Sequence, residues 1–358
     1  MSAERHLRTA MITSLRPRCG IADYSRMLVD ELARHVDVAW IAAPDAFAPV
    51  MNEADVVHIQ HQYFLFGGVA PWKNTFCRLA DQITAPIVMT VHEFVPPSGN
   101  MVKRMAISST NRAQFGHPAI RAFIVHTEAD RQSLISCGVA RERIECLPHP
   151  VPPRPYLPPR SEARGKLRLD DRFVVTMFGF LSRRKGHLIA IEALRHLPAN
   201  VHLILAGGKH PDDRTGYVDE IRVAVAQAGV GDRATITGYL EPDEAATIMS
   251  ATDLVLAPFM TGSGSGSMAY AFSCGKPIVA SAITANVEIH RRCPEALALV
   301  NDISPIELAK AVAQLQHDAA ALARLAEGSA HYATLFPYSR MAEDTVRIYE
   351  RIAKRSQR

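Results

Sequence analysis

Strand-like apolar runs alternate with helix-patterned segments twice along this chain, and a stretch that can be neither separates the two alternations. Residues 9–15, 36–42, 55–59, 86–92 and 122–126 read as buried strands, with helix patterns between most of them. In the segment 21–35, Tyr24, Met27, Leu28 and Leu32 fall on one face at helical spacing. Residues 149–159 (HPVPPRPYLPP) are too dense in proline for a helix interior or a central strand, because each ring removes a backbone N–H and fixes φ. They read as a stiff interdomain linker. The alternation then restarts, with strands at 173–178, 202–206, 234–237 and 254–257 and helices near 186–197, 217–228 and 243–250. Strands joined through helices pair in parallel by right-handed crossovers. The expected class is therefore α/β, two doubly wound, Rossmann-like domains facing across a cleft, with ligands outside the carboxyl ends of the strands.

The expected boundaries are 1–150 for an N-terminal domain, 151–165 for the proline-rich linker and 166–335 for a C-terminal domain. Residues 336–358 are expected to form a last helix that packs back on the N-terminal domain, with Met341, Thr345, Val346, Tyr349 and Ile352 along one side. Upstream, Ser304 can cap a helix, Pro305 suits its first position, and Glu307 can complete a capping box.

At 358 residues the chain can bury two cores. Hydrophobic residues at 48% and charged residues at 21% are those of a soluble globular protein. No apolar run is long enough to span a bilayer, and the opening MSAERHLRTA has no secretory apolar region. A formal charge of +4, without a basic stripe interleaved with aromatics, argues against nucleic acid as a partner. The six cysteines form no CxxC pair and read as isolated thiols of a reducing, cytoplasmic compartment.

The most informative stretch for function is 253–281 (DLVLAPFMTGSGSGSMAYAFSCGKPIVAS). A buried strand ends at Pro258, opens into a loop alternating glycine and serine, and re-enters a short helix near 267–273 and a second apolar run. Such a turn presents bare backbone N–H groups at a helix N-terminus, where partial positive charge favours anions. Serine hydroxyls add donors for phosphate or sugar oxygens. Apolar flanks on both sides argue against a plain flexible linker.

Taken in order, several segments resemble the retaining GT-B glycosyltransferases of family 4. They are RCGIADYS at 18–25, VHIQHQY at 57–63, TVHE at 90–93, PHPV at 148–151, FGFLSRRKG at 178–186 and CGKPIVAS at 274–281. The resemblance runs over nearly the whole chain. It implies transfer of a hexose from a nucleotide sugar, of GDP-mannose or UDP-hexose type, to a hydroxyl of a glycan or lipid-linked acceptor, with retention of configuration. It also implies no cofactor and no metal. Two departures stand out. The family usually carries two glutamates eight positions apart before the CGKP turn, held to bind the donor sugar and the ribose; here those positions are Gly262 and Tyr270. The arginine that usually follows the phosphate-motif glycine is Phe180, leaving Arg183 or Arg184 to supply the charge. The departures leave open a serine-rich subfamily or an inactive sugar-binding or scaffold protein.

Lys185 and Arg183 fit the task of neutralising a departing diphosphate, lysine as a point charge and arginine as a bidentate fork. His92 ends a buried strand, where the resemblance implies contact with the donor sugar. These three are the candidate catalytic residues. For donor binding the candidates are Gly20 and Ile21 at the first strand-to-helix turn, Gly179, Arg184, Tyr239, Leu240, Ser265, Gly266, Ser267, Met268 and Tyr270. Tyr239 would line the base pocket, and Ser265 to Met268 would offer hydroxyls and backbone N–H groups. On the acceptor side stand His61, Gln62 and Tyr63. His58 and His61 have a metal-like spacing, but without a carboxylate pair nearby they read as no metal site. Trp72, Lys73, Arg78, Met101, Lys103 and Met105 mix apolar and basic character, as a surface in peripheral contact with the inner membrane face would, and as ordinary half-buried helices do.

Overall fold

The computed structural model describes residues 6–41, 46–209, 215–262 and 264–356. One position of the glycine/serine loop, 263, lies outside them. The chain divides into two compact units, Met1–Pro150 with Tyr338–Arg358, and Val151–Pro337.

The first unit is built on six strands: β1 (Arg8–Ile12), β2 (Asp37–Ile41), β3 (Val56–His61), β4 (Ile87–Val91), β5 (Ile120–Val125) and β6 (Ile144–Cys146). They run in the order β2-β1-β3-β4-β5-β6, and every pair is parallel. β3 and β4 are buried at every residue, as strands covered on both faces must be. On one face Val57, Ile59, Met89 and Phe123 pack against Phe66, Phe76 and Phe115. On the other, Met11, Val88 and Ile124 meet Tyr24, Leu28 and Leu32 of the helix Gly20–Leu32 and Met341, Tyr349 and Ile352 of the helix Tyr338–Ser356. Side chains alternate along a strand. His58 and Gln60 of β3 therefore face the terminal helix, while His61 enters the opposite, aromatic core.

The second unit repeats the plan with β7 (Phe173–Phe178), β8 (Val201–Ala206), β9 (Ala234–Ile236), β10 (Leu254–Ala257), β11 (Ile278–Ser281) and β12 (Ala298–Val300). The order is β12-β11-β10-β7-β8-β9, all parallel. The chain leaves β7 toward β8 on one side and returns on its other side as β10. This reversal of strand order opens a crevice at the carboxyl ends of β7 and β10, where doubly wound sheets take ligands. At the opposite, amino ends of the same two strands, Asp253 ties β10 to β7: its carboxylate accepts from Arg160, Arg164 and the backbone N–H of Val174 (2.8 Å).

Local details differ from the sequence reading in three places. The stretch expected to be linker to residue 165 turns helical at Arg160 (Arg160–Leu167), because Arg164 is drawn down onto Ala251 and Asp253. Ser304 caps its helix by accepting from Glu307 N, but Glu307 does not close a box. It pairs with Lys310 at 2.6 Å, while Ser304 N donates to Asp302. A reciprocal box forms instead at Glu241 and Glu244, where acidic side chains serve both halves. In the terminal helix Val346 is only partly buried, and Ala342 and Ile348 enter the core beside Met341, Thr345, Tyr349 and Ile352.

Candidate functional site

In the second unit the site is assembled by three turns at the carboxyl ends of β7, β8 and β10. β7 ends at Phe178, and Gly179 follows with φ +98. A Cβ at position 179 would lie 2.5 Å from Lys185 Nζ and 3.0 Å from Ser267 Cβ, so only glycine fits. Gly179 N donates to Ala206 O and Leu181 N to Gly208 O, which lays this turn along the one after β8. Gly186, with φ +75, packs against Pro258, and Arg184 O accepts from Met260 N at 2.7 Å. The loop after β10 is thereby fastened to the turn that carries the basic residues.

Lys185 lies at the centre. It is 6% exposed, donates through Nζ to Phe178 O (3.0 Å) and Ser267 Oγ (3.2 Å), and sits 5.6 Å over the Phe259 ring. Burial, and then the neighbouring Arg184, lower its pKa to about 7, so an anion arriving here would draw a proton onto it. Ser267 Oγ is also 3.0 Å from Ser265 Oγ at the start of the helix Gly266–Ser273. Ser265 makes no side-chain cap, which leaves the first N–H groups of that helix for a ligand. Tyr270 stacks on Phe178 with centroids 4.8 Å apart, and Tyr239, 41% exposed, lies 6.4 Å from Phe180 at the rim.

Gly262, one of the two positions where a glutamate was expected, has open space filled from outside. Arg184 Nη1 comes within 3.4 Å of where its Cβ would be. A guanidinium therefore stands beside the position that resemblance assigned to a carboxylate. Arg183, on the same turn, pairs through its guanidinium with Glu220 and lies 4.9 Å over the Tyr217 ring. Leu240 packs into a small core with Leu169 and Val174, and the Met268 side chain is buried with Phe259 and Phe272, leaving only backbone groups there to meet a ligand.

In the first unit His92 follows β4 directly. It is half-buried, its Nε2 lies 2.8 Å from Gln60 Oε1, and its ring meets Tyr24 edge-on at 4.7 Å. His126 and His149 complete a cluster of rings around Tyr24, each 5.5 Å from it and 5.0 Å from one another. Burial holds His92 well below the usual imidazole range, and His126, His149, His61 and His58 add repulsion. Two polar atoms in this cluster, Tyr24 Oη and His126 Nε2, are buried without a hydrogen-bond partner. Gly20 opens the helix after β1, and a Cβ there would meet nothing within 4 Å. Nothing in the fold itself demands glycine at that point. Ile21 beside it is half-buried, and its carbonyl accepts from Ser25 Oγ.

Of the three residues expected on the acceptor side, two have buried side chains. His61 is fully buried among Tyr63, Phe66, Phe76 and Phe115, with Nε2 2.7 Å from Gln114 Oε1, because its place in β3 turns it into the aromatic core. Tyr63 is buried too and donates to Asn111 Oδ1 at 2.7 Å. Only Gln62, which donates to the exposed Glu93 at 2.6 Å, stays near the surface.

Comparison with known proteins bears on both units. The family model described as Glycosyltransferase Family 4 matches residues 38–154, and that described as Glycosyl transferases group 1 matches residues 172–318. The chain belongs to the family 4, group 1 glycosyltransferases. It is 24% identical over 310 residues to a D-inositol 3-phosphate glycosyltransferase of Xylanimonas cellulosilytica, covering 83% of this chain and 72% of that one. It is 26% identical over 293 residues to a 2-deoxystreptamine glucosyltransferase of Streptomyces kanamyceticus, covering 75% and 72%. Among solved structures, HepE of Anabaena in complex with UDP and glucose superimposes with a TM-score of 0.75 at 17% identity, over 96% of this chain and 98% of that one. WaaG, a glycosyltransferase involved in lipopolysaccharide biosynthesis, gives 0.71 at 16%, over 96% and 99%. The fold of this glycosyltransferase is thus GT-B.

Several residues packed around these candidates were not singled out from the sequence: Gln60, Tyr24 and Phe178 lie inside the motif segments without being picked from them, and His126 read only as the end of a buried strand. One signal was available: polar residues inside an apolar run, as in VVHIQH, must find partners when both faces are covered. Among the described residues no group of three or more histidine, cysteine or acidic side chains is arranged to hold a metal. Among them, too, no helix is long and apolar enough to cross a membrane. Trp72, Met101, Val102 and Met105 are each at least 66% exposed.

Proposed function

We propose that this glycosyltransferase moves a hexosyl group from a nucleoside-diphosphate sugar, of UDP-hexose or GDP-mannose type, to an acceptor hydroxyl with retention of configuration and without a metal. One observation carries the reading: the buried Lys185 amine, tied to Ser267 Oγ beneath the uncapped start of the helix Gly266–Ser273. Two like features, a cation and a set of unpaired N–H groups, converge where a diphosphate would develop charge as it leaves. Arg184 supplies further charge, and Gly179 lets the backbone come close. Tyr239 would stack on the base, and Tyr270 would present its edge to the ribose.

His92 would receive a substrate hydroxyl on the first unit, and Gly20 with Ile21 would let the substrate approach the start of the helix Gly20–Leu32. With no carboxylate among the candidate catalytic and donor-binding residues, we infer a same-face substitution in which the departing diphosphate takes the acceptor proton and no glycosyl-enzyme intermediate forms. Trapping a covalent sugar adduct would overturn that. The acceptor we infer is a glycan or a lipid-linked saccharide, with the exposed Trp72, Met101, Val102 and Met105 and the basic Lys103 and Arg104 resting on the inner membrane face. The named relatives act on D-inositol 3-phosphate and 2-deoxystreptamine, so free cyclitols belong in the acceptor panel.

The test is thermal stabilisation by UDP, GDP, ADP and dTDP and their sugars, on wild type and Lys185→Ala. At a hundredfold excess over its dissociation constant a ligand stabilises the folded state by about 2.7 kcal/mol. Stabilisation by one nucleotide, lost in Lys185→Ala, is the expected result. No stabilisation by any of them would refute the donor-site reading. Nucleotide-sugar binding without turnover on any acceptor would favour a sugar-binding scaffold, the reading that the missing glutamates at 262 and 270 support.

A further inference from the structure

The turns that close the carboxyl end of the second sheet lie side by side in the strand order β10-β7-β8-β9. Tyr239 follows β9 at one end of that row, Lys185 stands in the turn after β7, and Gly262 and Ser265 lie in the loop after β10 at the other end. A nucleotide sugar laid with its base at Tyr239 and its diphosphate at Lys185 therefore leaves its sugar to the loop after β10. What that loop and the turn beside it offer is one-sided in charge. Neither 173–191 nor 254–281 contains an aspartate or a glutamate. The polar groups there are the hydroxyls of Ser265 and Ser267, the first backbone N–H groups of the helix Gly266–Ser273, and the cations of the turn after β7.

Arg184 is the cation that reaches the loop. Its carbonyl accepts from Met260 N at 2.7 Å, and its Nη1 lies 3.4 Å from where a Cβ on Gly262 would be. With φ +156 and no side chain, Gly262 lets the guanidinium lie against the loop backbone. Unlike Arg183, which Glu220 holds, Arg184 forms no ion pair among the described residues. Its charge is felt at Lys185, whose pKa it helps to lower, so two cations stand together here with no carboxylate on the turn. A guanidinium only donates, and two of its parallel N–H groups match the two oxygens of a carboxylate. A neutral sugar would meet it with hydroxyls alone and leave its charge unmatched.

We propose that the group this glycosyltransferase moves is a hexuronosyl group, and that Arg184 is the specificity-determining residue, taking the sugar carboxylate in a bidentate pair beside Gly262. This rests on the reading of the Lys185 turn as the diphosphate site. It narrows the donor to a nucleoside-diphosphate hexuronate, a hexose oxidised to a carboxylate at C6. Lys185 and the uncapped helix start meet the diphosphate, and Arg184 meets the third negative charge, which a neutral hexose lacks. The glycine at 262 belongs to the same arrangement, because a side chain there would crowd Nη1.

The test is calorimetric binding of UDP-glucose against UDP-glucuronate, and of GDP-mannose against GDP-mannuronate, with UDP and GDP alone. It is run on the full chain as wild type, Arg184→Gln and Arg184→Lys. Arg184 is exposed and is tied to the loop through its backbone carbonyl, so both variants keep the turn. Wild type should bind the hexuronate of its nucleotide about tenfold or more tighter than the neutral hexose, the scale of a hydrogen bond to a charged group. Arg184→Gln should erase that preference, weakening the hexuronate about tenfold to a hundredfold and the neutral hexose and bare nucleotide by no more than about threefold. Arg184→Lys, which keeps the charge and loses the fork, should retain part of the preference. The preference should be level from about pH 6 to 9, where a sugar carboxylate stays ionised, and proton uptake should be the same with either sugar, since Lys185 answers to the diphosphate. Equal affinity for the two sugars in wild type would overturn the proposal and leave the donor site standing. An Arg184→Gln that weakens the bare nucleotide as much as the hexuronate would overturn it too, and move Arg184 to the diphosphate. No binding of any nucleotide or sugar would refute the donor site itself, and the proposal with it.

Discussion

Replacing Lys185 by methionine should make the protein more stable near neutral pH while abolishing nucleotide binding. Lys185 is almost fully buried and titrates at about 7 in place of 10.5. Below pH 10.5 the unfolded chain binds a proton that the native state refuses until the pH nears 7, so wild-type stability falls as pH drops through that window and levels off below it. Over the whole window the loss amounts to about 5 kcal/mol, at about 1.4 kcal/mol per pH unit. Methionine has no such titration, so its stability relative to wild type should rise by that slope as the pH is lowered from 10 to 7. Against this stand the two hydrogen bonds that Nζ gives to Phe178 O and Ser267 Oγ, worth about 1 kcal/mol each. At pH 7 methionine should still come out ahead by about 2 kcal/mol or more. Urea unfolding of both proteins at several pH values measures the slope directly. The same linkage gives a second readout. At pH 8 to 9 a nucleoside diphosphate should take up close to one proton on binding, by calorimetry in two buffers of different ionisation heat, and Lys185→Met should neither bind nor take up the proton. A stability difference that does not vary with pH would refute the account of a lysine kept short of its proton for an anionic ligand.

Three further outcomes are expected. Gly179→Ala should destabilise the second unit by about 1–3 kcal/mol and displace Lys185, because the new methyl group lands on Nζ and Ser267 at a positive φ; denaturant unfolding and the UDP thermal shift should both register it. Asp253→Ala should cost about 3–5 kcal/mol by leaving Arg164 buried without its carboxylate and Val174 N–H without its acceptor, and a loss under 1 kcal/mol in urea unfolding would contradict that. Ser304→Ala should cost about 1 kcal/mol through the lost cap, whereas Glu307→Ala should cost only a few tenths, since Glu307 reaches an exposed lysine and not the cap backbone.

The sequence by itself determined the repeated alternation of strands and helices, and with it two parallel doubly wound sheets, because a chain that alternates in this way has few other ways to bury both faces of its strands. It also determined that the turn carrying Lys185 and the loop opening into the helix at Gly266 follow strands, which is what makes them candidates for binding an anion. Tertiary structure alone decided the partners of the basic residues on that turn. Arg183, Arg184 and Lys185 are equivalent as letters, yet Glu220, 37 positions away, holds Arg183, and Ser267, 82 positions away, holds Lys185. It also decided the fate of the histidines. His58, His61 and His92 all stand in or just after buried strands, but the two-residue period of β3 sends His61 into an aromatic core and His58 toward Tyr349, 291 positions distant. Pairing of buried polar atoms is a long-range matter. A strand pattern says that a partner must exist, and only the packing of the terminal helix on the first sheet says which one it is.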